Sequence, residues 1–210
     1  MCIYGSAGPK FRATAKAGLY GPPIDMTLEE ANRFVAVARK SMPKICDWNY
    51  GYWAQAEQAL GMLARGEENT WGPLQIKDKR IDIQGVPMIY DTLAWHVPAF
   101  DEEVRNERQR KGYWRMKTRA GWKEMWGSKL TQNICEGVSR MIVSQAMNRI
   151  TSMGYRVLNW PYDELLLLIP KDGREQEHLE RCRQEMIREV TWLPGLPLDA
   201  EGSLGERYSK

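Results

Sequence analysis

The sequence predicts an α+β fold, with helices on one side of antiparallel strands. A helical apolar repeat spans about Ser128 to Ser152. Two strand-like runs, Gly154 to Trp160 and Leu165 to Ile169, follow it around a sharp turn, and a further helical run comes after Lys171-Asp172-Gly173. Helices flanking a hairpin in this way describe an α+β lobe rather than a wound parallel sheet.

Taken in order, residues 1–23 are rich in glycine and proline and predict a loop with one short helix. Thr27 followed by Glu30 is a capping box, in which each residue satisfies an orphan N–H at a helix start. Ala31, Phe34, Val35 and Ala38 then keep to one face until Pro43 stops the run. A second helix is predicted from Ile45 to Leu63, with Trp48, Tyr52, Ala56, Leu60 and Leu63 as its buried stripe and Gly66 as its stop. Between Thr70 and Trp95, glycine, proline and aspartate punctuate Leu74 to Ile76, Arg80 to Ile83 and Pro87 to Tyr90, which predicts a small antiparallel ribbon. The long helix places Leu130, Ile134, Val138, Met141, Ile142 and Ile150 largely on one face. The last helix does the same with Leu179, Cys182, Met186, Ile187 and Val190. There is no internal repeat and no low-complexity linker.

Two hundred and ten residues can bury a real core, and a chain that is 43% hydrophobic and 27% charged is not a disordered tail. Cys2, Cys46, Cys135 and Cys182 are scattered, and with only His96 and His178 they complete no familiar zinc spacing. Reduced thiols in a cytosolic compartment are therefore expected. No apolar run reaches the roughly 18 residues of a membrane span, and nothing resembles a signal peptide. Gly5, Gly8, Gly18 and Gly21 form neither GxGxxG nor GxxxxGK, which leaves a dinucleotide or P-loop site unsupported. His96 and His178 are expected to be structural or surface residues, and Cys182 a small core hydrophobe.

Two clusters could carry chemistry. Asp163-Glu164 sits on a turn between apolar strands, where bound divalent metal would offset the cost of holding acids and a rigid turn would suit two-metal phosphoryl transfer. The plain alternative is a solvated turn. Between Arg105 and Lys123 there are eight basic side chains and one acid, Glu107, interleaved with Tyr113, Trp114 and Trp122. Such a stretch can neutralise phosphates and stack on bases. Its alternative is a charged helix face anchored by its tryptophans.

Taken in order, these residues resemble the last third of a bacteriophage-type family A DNA polymerase. Gly127-Ser128-Lys129-Leu130-Thr131-Gln132-Asn133-Ile134, continued by Val138-Ser139-Arg140, is similar to the helix before that family's motif C. Gly154-Tyr155-Arg156-Val157-Leu158 and the Tyr162-Asp163-Glu164 turn resemble the motif C hairpin, normally His-Asp-Glu. Cys2-Ile3-Tyr4-Gly5, with Lys10-Phe11 behind it, resembles the tail of motif B. Trp192, Gly195-Leu196-Pro197-Leu198 and Arg207-Tyr208-Ser209-Lys210 resemble the phage enzymes' carboxyl terminus.

The resemblance implies an antiparallel palm sheet with the motif C hairpin flanked by helices. Residues 1–66 would be partial fingers helices and 67–210 the carboxyl-terminal palm. It implies Asp163 as metal-binding aspartate with Glu164 as its neighbouring catalytic carboxylate, and Tyr4 beside the incoming nucleotide. Gln132, Asn133, Glu136, Arg140 and Tyr162 would contact primer-template DNA, and Arg115, Lys117 and Arg119 would approach the duplex backbone. Departures are Tyr162 at the histidine position, Glu136 at a glutamine position, Met141 at an aspartate position, and no arginine in Gly85 to Tyr90. Motif A and the triphosphate-gripping arginine and lysine have no counterpart here, and the chain starts at Met1 just before Cys2. The implication is a split cytoplasmic enzyme (of the host cytoplasm if phage-encoded), with an amino-terminal polypeptide supplying thumb, motif A and fingers, dNTP as substrate, and two Mg2+ ions held jointly. The chain alone would be inactive. Two alternatives are a non-catalytic palm-like DNA-binding or replisome scaffold subunit and an unrelated basic nucleic-acid or interaction module.

Overall fold

A computed structural model of the chain describes residues 7–19, 21–104 and 107–208. It divides into two compact units, residues 1–135 and 136–210. The first opens with α1 (Gly8–Lys16), which carries proline in its first turn, and α2 (Leu28–Lys40). The capping box is present. The Glu30 N–H donates to Thr27 Oγ1 at 3.2 Å, and the Thr27 N–H donates to Glu30 Oε2 at 2.7 Å. That backbone hydrogen bond holds the Glu30 carboxyl below its usual range. Ala31 and Val35 are buried, and α2 packs against α1. Phe34 was expected with them but lies on the flank, stacked on Phe11 at 4.7 Å and otherwise exposed, because one nine-residue helix covers only a narrow stripe.

The helix expected from Ile45 to Leu63 is two helices, α3 (Pro43–Cys46) and α4 (Tyr52–Arg65). Asp47 makes the break. Its Oδ1 accepts from the N–H groups of Asn49 (2.7 Å) and Tyr50 (3.3 Å), a local turn that competes with helix. Trp48 therefore leaves the stripe and is 49% exposed. Of the rest of the expected stripe, Ala56, Leu60 and Leu63 are buried and Tyr52 only half-buried, while Trp53, outside that stripe, is fully buried. Gly66, at φ +71°, closes α4 with two turn hydrogen bonds, Gly66 N–H to Leu63 and Glu67 N–H to Met62.

α4 packs on a four-stranded antiparallel meander of β1 (Asn69–Trp71), β2 (Leu74–Lys77), β3 (Arg80–Ile83) and β4 (Val86–Ile89). Leu74, Ile76, Ile81 and Ile83 alternate with polar neighbours and point into the core. Each such side chain contributes roughly 1.5–3 kcal/mol of burial. A three-stranded antiparallel sheet follows, β5 (Ala94–His96), then α5 (Glu107–Arg110), β6 (Tyr113–Thr118) and β7 (Gly121–Met125). The basic segment is thus largely a hairpin and not a charged helix.

α6 (Gly127–Ser152) is the long helix, roughly 39 Å at 1.5 Å per residue, and the boundary between the units falls within it. Its first N–H, from Gly127, donates to Glu57 Oε2 at 2.6 Å. A Cβ at Gly127 would collide with the Trp53 carbonyl oxygen, so only glycine lets α6 start this close to α4.

In the second unit α6 continues beside the hairpin β8 (Arg156–Asn159) and β9 (Leu166–Leu168), followed by α7 (Glu175–Met186). Ile150, Tyr155 and Cys182 form its core, with Met153, Leu165, Leu167 and Met186 against them. Burial pushes the Cys182 thiol up. Arg149 clamps Glu185 through both its carboxylate (2.7 Å) and its carbonyl (2.6 Å). His178 is buried, with Nδ1 2.8 Å from the Tyr155 hydroxyl and Nε2 3.2 Å from Asp172. The fold is therefore α+β, and among the described residues every strand pair is antiparallel and the strands are distributed over three sheets. Among the described residues no helix is long and apolar enough to cross a membrane.

Candidate functional site

The second unit holds the acidic turn. β8 and β9 pair with a bulge between Val157 and Asn159, and residues 160–165 connect them. Pro161 to Glu164 form a β-turn closed by the Glu164 N–H donating to the Pro161 carbonyl at 3.1 Å. Tyr162 takes the first central position at φ +58°, a conformation that costs a non-glycine residue on the order of 1–2 kcal/mol. Its side chain is 90% exposed. Asp163 projects into solvent with no hydrogen bond or ion pair among the described residues. Glu164 is half-buried and accepts from the Tyr208 hydroxyl at 3.3 Å.

Trp160 holds the turn from inside. Its Nε1–H donates to the Tyr162 carbonyl at 2.7 Å, and its own backbone N–H donates to Asn159 Oδ1 at 2.8 Å. The guanidinium of Arg140, on α6, lies 5.4 Å from the Trp160 ring centre. At an exposed site such a cation–π contact contributes about 0.5–1 kcal/mol. Arg140, Tyr162, Asp163 and Glu164 are thus gathered around one turn, with Trp160 as the link. Glu136 is exposed on α6 in the same unit. Trp160 and Tyr208 join the site beyond the residues that the sequence predicts for it. Tyr208 lies 44 residues from Glu164, so no local pattern could have linked them.

The remaining candidates belong to the first unit. Gln132 accepts from Lys129 Nζ at 3.1 Å, and Asn133 donates weakly to the Tyr90 hydroxyl at 3.5 Å. Burial raises the Tyr90 phenol, an effect that this bond opposes. Arg115, Lys117 and Trp122 share one face of the β5–β6–β7 sheet, since Lys117 pairs with Trp122 and Arg115 with Glu124. The Arg115 guanidinium lies 4.5 Å from the Trp122 ring centre. His96, on the same face, meets Glu102 at 3.0 Å, which holds the Glu102 carboxyl below its usual range. Arg119 occupies the exposed hairpin turn. Tyr4 lies outside the described residues.

Among the described residues no group of three His, Cys, Asp or Glu side chains could hold a metal ion. Asp163 and Glu164 are adjacent in sequence, and Glu164 is engaged by Tyr208. The turn thus brings together two carboxylates, Asp163 and Glu164, fewer than a divalent cation's usual set of oxygen ligands.

A DNA polymerase of Bacillus phage SP02 is 31% identical to this chain over 85 residues, which are 40% of this chain and 13% of that protein. The chain therefore spans a small part of the relative's length. No protein-family model and no solved structure matches the chain.

Proposed function

We propose that the chain is the carboxyl-terminal catalytic subunit of a split, template-directed DNA polymerase of the phage-type family A kind. A second polypeptide supplies motif A, the thumb and the fingers helix. The carrying observation is the turn that follows α6 and β8, with Asp163 unengaged at its apex and Arg140 linked to it through Trp160. The polymerase relative supports the same reading over part of the chain. On this reading the β8–β9 hairpin is motif C and the surrounding α+β framework the palm.

The reaction is nucleotidyl transfer. The primer 3′-hydroxyl loses its proton and forms a bond to the α-phosphorus of a dNTP, while the bond to the β-phosphate oxygen breaks and pyrophosphate leaves. Asp163, with a carboxylate of the partner, would hold Mg2+, which when bound offsets charge on the phosphoryl oxygens. Glu164 stays beside that site, restrained by Tyr208. Tyr162 presents a hydroxyl in place of the usual histidine and can still donate one hydrogen bond. Arg140, Gln132 and Asn133 would meet the primer-template, and Glu136 would weaken that contact where a glutamine could have donated.

The test is primer extension by this chain co-purified with the amino-terminal polymerase polypeptide, against each chain alone and against Asp163→Ala. Extension only by the wild-type pair is expected. Removing a metal-holding carboxylate forfeits several kcal/mol of transition-state stabilisation, so the variant pair should lose on the order of 10³-fold or more while keeping DNA affinity. The departures at Tyr162, Glu136 and Met141 favour a second reading, a non-catalytic palm-like DNA-binding or replisome scaffold subunit. A stable pair that binds DNA without extension would establish that one instead.

A further inference from the structure

We infer that the β6–β7 hairpin is a platform for single-stranded DNA, with an unpaired base stacked on Trp122 and its phosphates met by Lys117 and Arg119. Trp122 is 49% exposed although it lies within a paired strand and carries a guanidinium against its ring. The Arg115 guanidinium packs against the indole, and the exposed half of Trp122 supplies the aromatic surface on which a base would stack. Lys117 stands directly opposite Trp122 on the same face, and Arg119 sits at the turn. Neither cation has an ion pair among the described residues, nor does Lys123 on the opposite face. Farther from the tip the charges are matched, with Arg115 opposite Glu124 and His96 against Glu102. The unmatched positive charge is thus confined to the end of the hairpin that carries the exposed indole.

This combination selects a single strand over a duplex. Bases within a duplex are stacked on one another and offer no free face to an indole, whereas an unpaired base does, and phosphates serve either partner. The turn is stiff enough to present the site. Thr118 Oγ1 donates to the Gly121 carbonyl at 2.9 Å and accepts from the Ala120 N–H at 3.2 Å, with Gly121 at φ +93°. The inference rests on the polymerase reading for its source of single strand, an unpaired template.

The experiment is fluorescence anisotropy of a labelled oligothymidylate and of a duplex of equal length, without metal or nucleotide, across a salt series. The full chain is expected to bind the single strand more tightly. Trp122→Ala should weaken that binding roughly tenfold and leave the duplex affinity unchanged, while Trp122→Phe retains most of it. Replacing Lys117 and Arg119 by glutamine should flatten the slope of log affinity against log salt by about 0.7 per cation. If Trp122→Ala disturbs the sheet by circular dichroism, Trp122→Leu against Trp122→Phe makes the same comparison. Preference for duplex, or single-strand affinity indifferent to loss of the aromatic ring, would overturn the inference. Primer extension failing while stacking persists would count against the polymerase reading alone, and extension with Trp122→Ala binding unchanged would count against the platform alone.

Discussion

Tyr162 occupies a backbone conformation that glycine would adopt freely, yet its ring is almost wholly in solvent. Glycine at this position would relieve about 1–2 kcal/mol of local strain and return about 0.5–1 kcal/mol as chain entropy. Tyr162→Gly should therefore leave unfolding free energy within about 1 kcal/mol of wild type in urea titration. On the split-polymerase reading, primer extension by the pair falling severalfold with Tyr162→Phe, which removes only the hydroxyl, would assign that hydroxyl to the site, whereas unchanged extension would leave the turn shape alone. Tyr52 gives a second residue-scale prediction. Burial first, and then the Cys135 thiolate, push its phenol up to about 12 from an ordinary 10.0. The folded chain thus favours the neutral phenol. Its contribution is complete below pH 10, where both states are protonated, and is lost between pH 10 and about 12 as only the unfolded chain ionises. Denaturant titrations across that window should fall less steeply for Tyr52→Phe than for wild type. The Tyr90 phenol, also raised by burial, accounts for part of the remaining slope.

The start of α6 joins backbone to backbone, and Gly127→Ala tests it. An added methyl meets the Trp53 carbonyl and the Glu57 N–H rather than a flexible side-chain end, so α4 and α6 must part. A loss of roughly 1–3 kcal/mol is expected in thermal unfolding. Glu57→Ala, which removes only the acceptor for the Gly127 N–H, should cost about 1 kcal/mol. This element was legible in the sequence almost to its ends, because twenty-six residues of helical spacing outweigh local noise. Three of the meander's four strands were legible too, since Leu74, Ile76, Ile81 and Ile83 alternate between clear turn residues, while the three-residue β1 is too short to show a pattern. The break at Asp47 was not. Apolar periodicity continues across it, and the deciding interaction is one carboxylate taking two backbone N–H groups. The β6–β7 hairpin was hidden for another reason: both its faces carry cations and aromatics, which erases the alternation that marks a half-buried strand. At the candidate site the acid pair was visible as neighbours in sequence, as was Arg140 through the resemblance. Trp160, whose indole closes the turn, looked like one more apolar strand residue.

The acidic turn belongs to one unit and the cationic hairpin to the other, and the boundary between the units falls within α6. On the split-polymerase reading neither unit supplies the missing carboxylate, and the partner must seat itself firmly enough to hold it in place. An obligate interface of that kind requires apolar surface, and α1–α2 is the segment that the resemblance places beside the fingers helix. Leu28, Phe34 and Val37 are exposed on α2, with Leu19 and Ile24 ahead of it. Phe34 also stacks on Phe11, so replacing it would disturb the unit itself. Val37 is 61% exposed, which makes it the cleaner probe. A charge placed there should alter the chain's own stability by no more than about 0.5 kcal/mol, as exposed positions usually do. Buried at the centre of an interface, the same charge should cost about 2 kcal/mol or more of binding, a weakening of roughly thirtyfold. Val37→Glu is therefore expected to melt like wild type but to co-purify poorly with the amino-terminal polypeptide, and calorimetric titration of the two chains would measure the loss. An unchanged binding constant would move the partner to another face of the molecule, and a lowered melting temperature in the isolated chain would show that Val37 belongs to the unit's own packing.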